Sequence, residues 1–309
     1  MSSNGGVEPV TASIRAPGRS ARGYALVSVA TLLWSFAGLY VRAAGQDAWT
    51  TLAGRCLVGG TMLVADFALV HRRDLRGAAR GLSGGGGPWL PLVAAAAIGA
   101  YVGGLVLTEL ARFMIVYATL PFVSGAFAWG LYGERPTGRA MSAALVALVG
   151  IAVMMAGPGG GAHWLGDALS AVSTIGFAGL LVAARHRAGT PMSLVNGLGA
   201  LLCVPLGLAF ARPVGLGAWQ AGMIAWFGAS TLYLAFRLYM TGVRDVPAAE
   251  ASVVSAADSA LGPLWVFLVF GETPSRATLE GGAIVMAAVL WQLIGGLADA
   301  RRGAATAEP

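Results

Sequence analysis

The chain has 309 residues, of which 57% are apolar and only 11% charged, with a mean hydropathy of +0.72 and a net charge of +6. Soluble domains carry about 25% charged residues, and a chain of this size has no interior large enough to hide so much apolar surface. The composition excludes a soluble globular protein and points to an all-α polytopic membrane protein; the apolar runs are continuous, where a β-barrel would show short alternating segments.

The first 22 residues are polar and rich in Gly and Ser, with Arg15, Arg19 and Arg22, and read as a disordered cytoplasmic tail. No small-residue cleavage site closes the apolar run that follows, so it is expected to span rather than to be removed. Ten spans of roughly the ~20 residues a bilayer needs are predicted over 23–43, 50–70, 88–107, 111–133, 139–156, 165–184, 192–210, 217–242, 247–271 and 276–297, with a polar cytoplasmic tail over 298–309. Gly157–Gly161 reads as a flexible turn, too isolated from any strand to be a phosphate loop.

All 20 basic residues are arginine. With the amino terminus placed in the cytoplasm, fourteen fall in cytoplasmic segments and Arg42, Arg112, Arg212 and Arg276 fall outside. This is a positive-inside bias with both termini inside, and it explains the net charge without a nucleic-acid partner. Cys56 and Cys203 sit in apolar runs and read as packing residues, and the three histidines have no ligand-like spacing, so no metal or cofactor is expected.

The chain repeats itself. Gly133-Glu134-Arg135-Pro136-Thr137 returns 138 positions later as Gly271-Glu272-Thr273-Pro274-Ser275, and Phe36-Ala37-Gly38-Leu39 returns as Phe177-Ala178-Gly179-Leu180. The halves are therefore five-span repeats over 23–157 and 164–297. Five is odd, so the second copy enters the membrane upside down. Such inverted repeats place a substrate site near the midplane, between the halves.

Ionisable groups at membrane depth cost about 2.5–3.5 kcal/mol each at a helix centre, and each needs an account. Asp258 falls near the middle of the ninth span beside Ser252, Ser255 and Ser259, which imply a polar helix face. It is either a substrate-contacting or proton-coupling carboxylate, or a structural partner for an arginine. Arg55 either snorkels outward, or pairs with a carboxylate or binds an anionic group, and it is a candidate for ion or proton coupling. Arg237 lies about two turns from the end of the eighth span and is a further candidate for substrate contact. Glu250 opens the ninth span, where a carboxylate suits the helix dipole; its other reading is ion coupling. Glu134 and Glu272 end the fourth and ninth spans, where the dipole disfavours them, so a structural role is expected: accepting bonds from amides of the next helix. Pro121 and Pro263 each free a carbonyl and permit a hinge. Trp34, Tyr117 and Tyr233 fall deep, where an indole N–H or a hydroxyl wants a partner; with Tyr101, Ser259 and Trp265 they complete the candidates for substrate binding. Gly59-Gly60, Gly103-Gly104 and Gly281-Gly282 suit close helix packing. No catalytic constellation or nucleotide-binding motif stands out.

Leu33-Trp34-Ser35, Arg55, Pro121 twelve residues before Gly133-Glu134-Arg135, Gly166-Asp167, the stretch Pro247-Ala248-Ala249-Glu250 through Gly262-Pro263-Leu264-Trp265, and Gly271-Glu272 together resemble the EamA-type members of the drug/metabolite transporter superfamily, over about 23–297. The resemblance implies ten helices in an inverted 5+5 repeat, both termini cytoplasmic, and a central cavity lined by helices 1, 3, 4, 6, 8 and 9. It also implies export of amino acids, metabolites or drugs across the bacterial inner membrane; with no nucleotide-binding motif the route is expected to be secondary or facilitative, and the chain is expected to be a monomer or homodimer. The alternative is a non-transporting scaffold or receptor on the same fold. Aligned on the Gly-Glu pair, Ser259 stands where the first copy has Pro121, and the second proline is displaced to Pro263.

Overall fold

The computed structural model describes residues 20–82, 87–108, 110–154, 164–187, 189–271 and 275–305. Among these there is no strand. Ten helical spans follow in order: α1 (Ala21–Ala44), α2 (Ala48–Val70), α3 (Leu90–Leu107), α4 (Leu110–Tyr117 and Leu120–Tyr132), α5 (Gly138–Met154), α6 (Trp164–His186), α7 (Met192–Phe210), α8 (Ala218–Gly242), α9 (Ala248–Ser255 and Ala257–Phe270) and α10 (Arg276–Ala305). Nine described helices are long and apolar enough to cross a bilayer; α5, at 17 residues, is shorter. Trp129, Leu208, Trp219 and Ile294 are more than half exposed. Outward apolar side chains of this kind belong against lipid. The chain is a multi-pass membrane protein.

The predicted spans are present, with three differences. The last helix does not stop at 297 but runs to Ala305, so most of the expected tail is helical. The loop after α2 contains a short helix, Leu75–Ala79. Three spans are interrupted: α1 at Phe36, α4 between Tyr117 and Leu120, and α9 at Ala256. The amino-terminal 19 residues and the predicted turn 157–161 lie outside the described residues.

The packing repeats as the sequence does. α2 packs on α7, α4 on α9 and α5 on α10, each span against its own counterpart; α3 packs on α6, and α1 on α8, which is the same contact with the halves exchanged. Two of these crossings need bare backbone. A Cβ on Gly60 would meet the Gly197 carbonyl at 3.1 Å and one on Gly197 the Gly60 carbonyl at 3.1 Å; Gly150 and Gly281 meet the same way at 2.8 and 2.3 Å.

The interruptions have local causes. In α4, Pro121 has no N–H to give the Tyr117 carbonyl, and Thr119 Oγ1 donates back to the Val116 carbonyl at 2.6 Å. In α9 no proline sits at the break. Ser252 and Ser255 donate to the carbonyls of Ala248 (2.8 Å) and Ser252 (2.9 Å), and the backbone tightens to Ala256 N–H on Val253 and Ser259 N–H on Ala256. Pro263 lies inside the second piece of α9, about two turns beyond the break. Both spans end in a left-handed glycine, Gly133 at φ +70° and Gly271 at φ +69°.

Both ends of the described chain lie at one end of the bundle. Ser20 N–H donates to the Asp245 carbonyl at 3.1 Å, the Tyr24 hydroxyl to Glu250, and Arg139 to Asp299 at 2.8 Å. This end is called the N-terminal end below.

Candidate functional site

A cavity of about 120 Å³ lies where the halves meet. α1 supplies Trp34, α3 Tyr101 and α4 Tyr117; α6 supplies Ser173 and Phe177, α8 Phe227, Thr231 and Phe236, and α9 Asp258. α2 and α7 contribute as well, through Arg55 and Asn196, so eight helices line it rather than the six that the resemblance implies.

Aromatic rings form one wall. Tyr101 meets Tyr117 edge-on at 5.7 Å, Tyr117 stacks towards Phe177 at 6.4 Å, and Trp34 packs against Phe177 at 6.0 Å and Phe236 at 5.5 Å. The Trp34 indole N–H donates to the Thr231 carbonyl at 2.9 Å. That carbonyl is available because α8 widens into a π-helical stretch over Gly228–Ala235, which disturbs the regular bonding ladder.

Two opposite charges face this cavity without pairing. Asp258 accepts a bond from its neighbour Ser259 Oγ at 3.2 Å and has no ion pair among the described residues. The Arg55 guanidinium lies over the Phe227 ring, 4.5 Å from its centroid, and its buried Nε has no hydrogen-bond partner. A cation over an aromatic face is partly compensated, but its Nε–H stays unmet.

The remaining candidates lie elsewhere. Arg237 and Tyr233 do not line the central cavity. Arg237 is ion-paired with Asp66 of α2 and donates to the Tyr233 hydroxyl at 3.2 Å. Cavity residues on α8 are Phe227, Thr231 and Phe236; Tyr233 is two residues from Thr231 and Arg237 one from Phe236, so both point off that face. Asp66 near the end of α2 is the partner that Arg237 takes. Trp265 donates its indole N–H to Ser35 Oγ at 2.8 Å and stacks on Phe36 at 4.7 Å, bracing the break in α1. Glu250 is fully buried at the N-terminal end, bonded by the Tyr24 hydroxyl and by Thr137 Oγ1 at 3.3 Å.

Glu134 corrects its expectation. It does not accept from amides of α5. Its carboxylate takes Arg185 Nε of α6 at 2.8 and 3.1 Å, with His186 Nε2 at 2.7 Å. Arg185 reaches on to the carbonyls of Val243 (3.2 Å) and Arg244 (3.4 Å), so this ion pair ties the ends of α4, α6 and α8 together. Its counterpart Glu272 lies outside the described residues.

Asn196 and the ring of Phe177 were not singled out in the sequence. Asn196 is a lone amide in an apolar stretch, a signal available but easily passed over. Phe177 was visible as the repeat of Phe36, but only the fold shows that it faces the cavity.

The EamA-like transporter family matches the chain twice, over residues 21–156 and again over 164–294. Among solved structures, a protein crystal structure superposes with a TM-score of 0.73 at 21% identity, covering 88% of this chain and 98% of that one. This likeness speaks for the fold alone. Comparison with curated protein sequences finds no match.

Proposed function

Because the chain belongs to the EamA-like transporter family, a part of the drug/metabolite transporter superfamily, we propose that it is a secondary or facilitative transporter of small zwitterionic metabolites, small amino acids foremost. One observation carries the reading: Asp258 and Arg55 face the same small cavity and neither is neutralised by the protein. Charges held at membrane depth without partners cost several kcal/mol. A solute with an ammonium at one end and a carboxylate at the other offsets both costs at once, with the ammonium at Asp258 and the carboxylate forked on the Arg55 guanidinium. The aromatic wall of Tyr101, Tyr117, Phe177 and Trp34 accommodates the aliphatic body. A volume of about 120 Å³ favours small solutes.

The interruptions in α4 and α9 fall beside this cavity and serve as hinges for alternating access. Asp258, the one carboxylate facing the cavity among the described residues, is the group that couples a proton to the cycle. The N-terminal end carries Arg72, Arg73, Arg76, Arg80, Arg139, Arg185, Arg187 and Arg244 in its loops and helix ends, and this excess supports a cytoplasmic position for it, in the reading of a bacterial inner-membrane protein. Transport from that end outward is export.

Tracer counterflow in proteoliposomes tests the reading. Saturable exchange of glycine or alanine supports it. Binding of these solutes with no exchange would replace it by the receptor reading on the same fold.

A further inference from the structure

A second, larger chamber of about 430 Å³ opens at the N-terminal end between α2, α7 and α8, with Asp66, His71, Arg237, Thr241 and Arg244 among its walls. Two residues, Asn196 and Phe236, line both this chamber and the central cavity. They form the septum between them. Asn196 is 1% exposed, and its Nδ2 donates to the Met192 carbonyl at 2.9 Å. A carbonyl only accepts, so this bond fixes the orientation of the amide. It leaves Oδ1 buried with no partner. A dry, unmet acceptor is costly, and a leucine here would avoid the cost.

The other half of the septum is apolar. Phe236 packs edge-on against Trp34 at 5.5 Å and Phe177 at 5.8 Å, and it follows the π-helical stretch of α8, a local irregularity at which the helix can change register. At the chamber's rim, Arg237 is 43% exposed while its partner Asp66 is 12% exposed. A pair this open to water contributes little and exchanges readily.

We propose that the larger chamber is the vestibule through which solute passes between the N-terminal end and the central cavity, and that Asn196 Oδ1 is the contact that accepts an N–H of the solute's ammonium group as it crosses the septum. This rests on the transport reading for its solute, but the path itself is a property of the fold. Phe236 closes the septum when no solute is crossing, and the two arginines of the rim meet the carboxylate end.

Two arms test this. In oriented sealed vesicles, a membrane-impermeant methanethiosulfonate is applied from either face to Asn196→Cys and Thr241→Cys, with the unmodified protein, whose two cysteines are buried, as the blank. Both variants are expected to react from the N-terminal face, Thr241→Cys the faster. Asn196→Cys reacting only from the opposite face, or from neither while Thr241→Cys reacts, overturns the proposal. In the second arm, Asn196→Leu is expected to lower the maximal rate of tracer glycine exchange about tenfold, the loss of one hydrogen bond at the crossing, and to weaken equilibrium glycine binding by clearly less. Asn196→Asp, which keeps an acceptor at this place, restores exchange. A loss of binding equal to the loss of rate, or no loss of rate, overturns it. If the unmodified protein exchanges no solute at all, the transport reading fails, and the labelling arm still decides whether the path exists.

Discussion

α4 and α9 are counterparts, and they differ where the chemistry lies. Both are interrupted at the same aligned position, Ala118 and Ala256, 138 residues apart, and both end in a left-handed glycine. Yet α4 breaks with a proline in the first turn of its second piece, whereas α9 breaks through serine hydroxyls that bond back to their own helix. α4 brings Tyr117 to the cavity and α9 brings Asp258. α4 ends in the Glu134–Arg185 ion pair. The difference teaches that a duplicated scaffold preserves its helix breaks and its caps while each copy brings a different side chain to the cavity.

The largest effect is expected at the tie that α4 makes. Arg185→Ala leaves Glu134, 13% exposed, without its guanidinium and leaves the carbonyls of Val243 and Arg244 without that donor. The loss should be about 3 kcal/mol, read as a fall in thermal unfolding temperature in detergent. A change near zero would mean that the ends of α4, α6 and α8 are held by apolar packing alone. Next, the caps test the equivalence of the copies. A Cβ at Gly133 or Gly271 meets nothing within 4 Å, so only backbone strain is at issue. Gly133→Ala and Gly271→Ala should each cost about 1 kcal/mol. Clearly unequal losses would show that the two ends are not the same structure.

A smaller effect lies where α4 crosses α9. Ser124 Oγ is 3.1 Å from Ser252 Oγ, both buried. Ser124→Ala should cost about 1 kcal/mol or less, because Ser252 keeps its bond to Ala248. The double substitution with Ser252→Ala should be less than additive, and strict additivity would mean the hydroxyls do not interact. An effect of similar size, which fades at low pH, concerns another counterpart pair, α2 and α7. Asp47 caps α2 with its side chain, whereas Pro191 gives α7 no such bond. Some desolvation pushes the Asp47 carboxyl up, but bonds from the Thr50 hydroxyl and from the amides of Thr50, Arg212 and Trp49 hold it below its ordinary value of 3.8. A lowered folded value means the cap stabilises fully above the ordinary carboxylate range and is lost as pH falls through the folded value. Asp47→Ala should therefore cost about 1 kcal/mol at neutral pH and progressively less below pH 3.8. A cost independent of pH would assign the effect to packing.

Most of the scaffold was legible in the sequence because the signals are local: continuous apolar runs, the doubled Gly-Glu, and polar residues that stand out against them. Trp34, Arg55, Tyr101, Tyr117 and Asp258 were singled out for depth and polarity, and the fold brings all five to one cavity. Arg237 and Tyr233 were equally conspicuous and lie elsewhere. Depth in a span does not say which face a residue takes: Tyr233 is two residues from Thr231 and Arg237 one from Phe236, so both point off the cavity face of α8. The partner of Glu134 was invisible for another reason: Arg185 is 51 residues away, and nothing local links them. Asn196 escaped because its significance is what it lacks, a partner for Oδ1, and that appears only once the surrounding helices are in place.

The most direct measurement is the charge selectivity of binding to the purified protein. Glycine, with both charges, should bind the unmodified protein more tightly than methylammonium or glycolate, each of which carries one. Asp258→Asn should weaken glycine about thirtyfold or more while leaving glycolate nearly unchanged, and Arg55→Met should do the reverse, sparing methylammonium. Equal weakening of all three solutes by both substitutions, or none, would contradict the assignment of Asp258 and Arg55 to the two ends of one zwitterion.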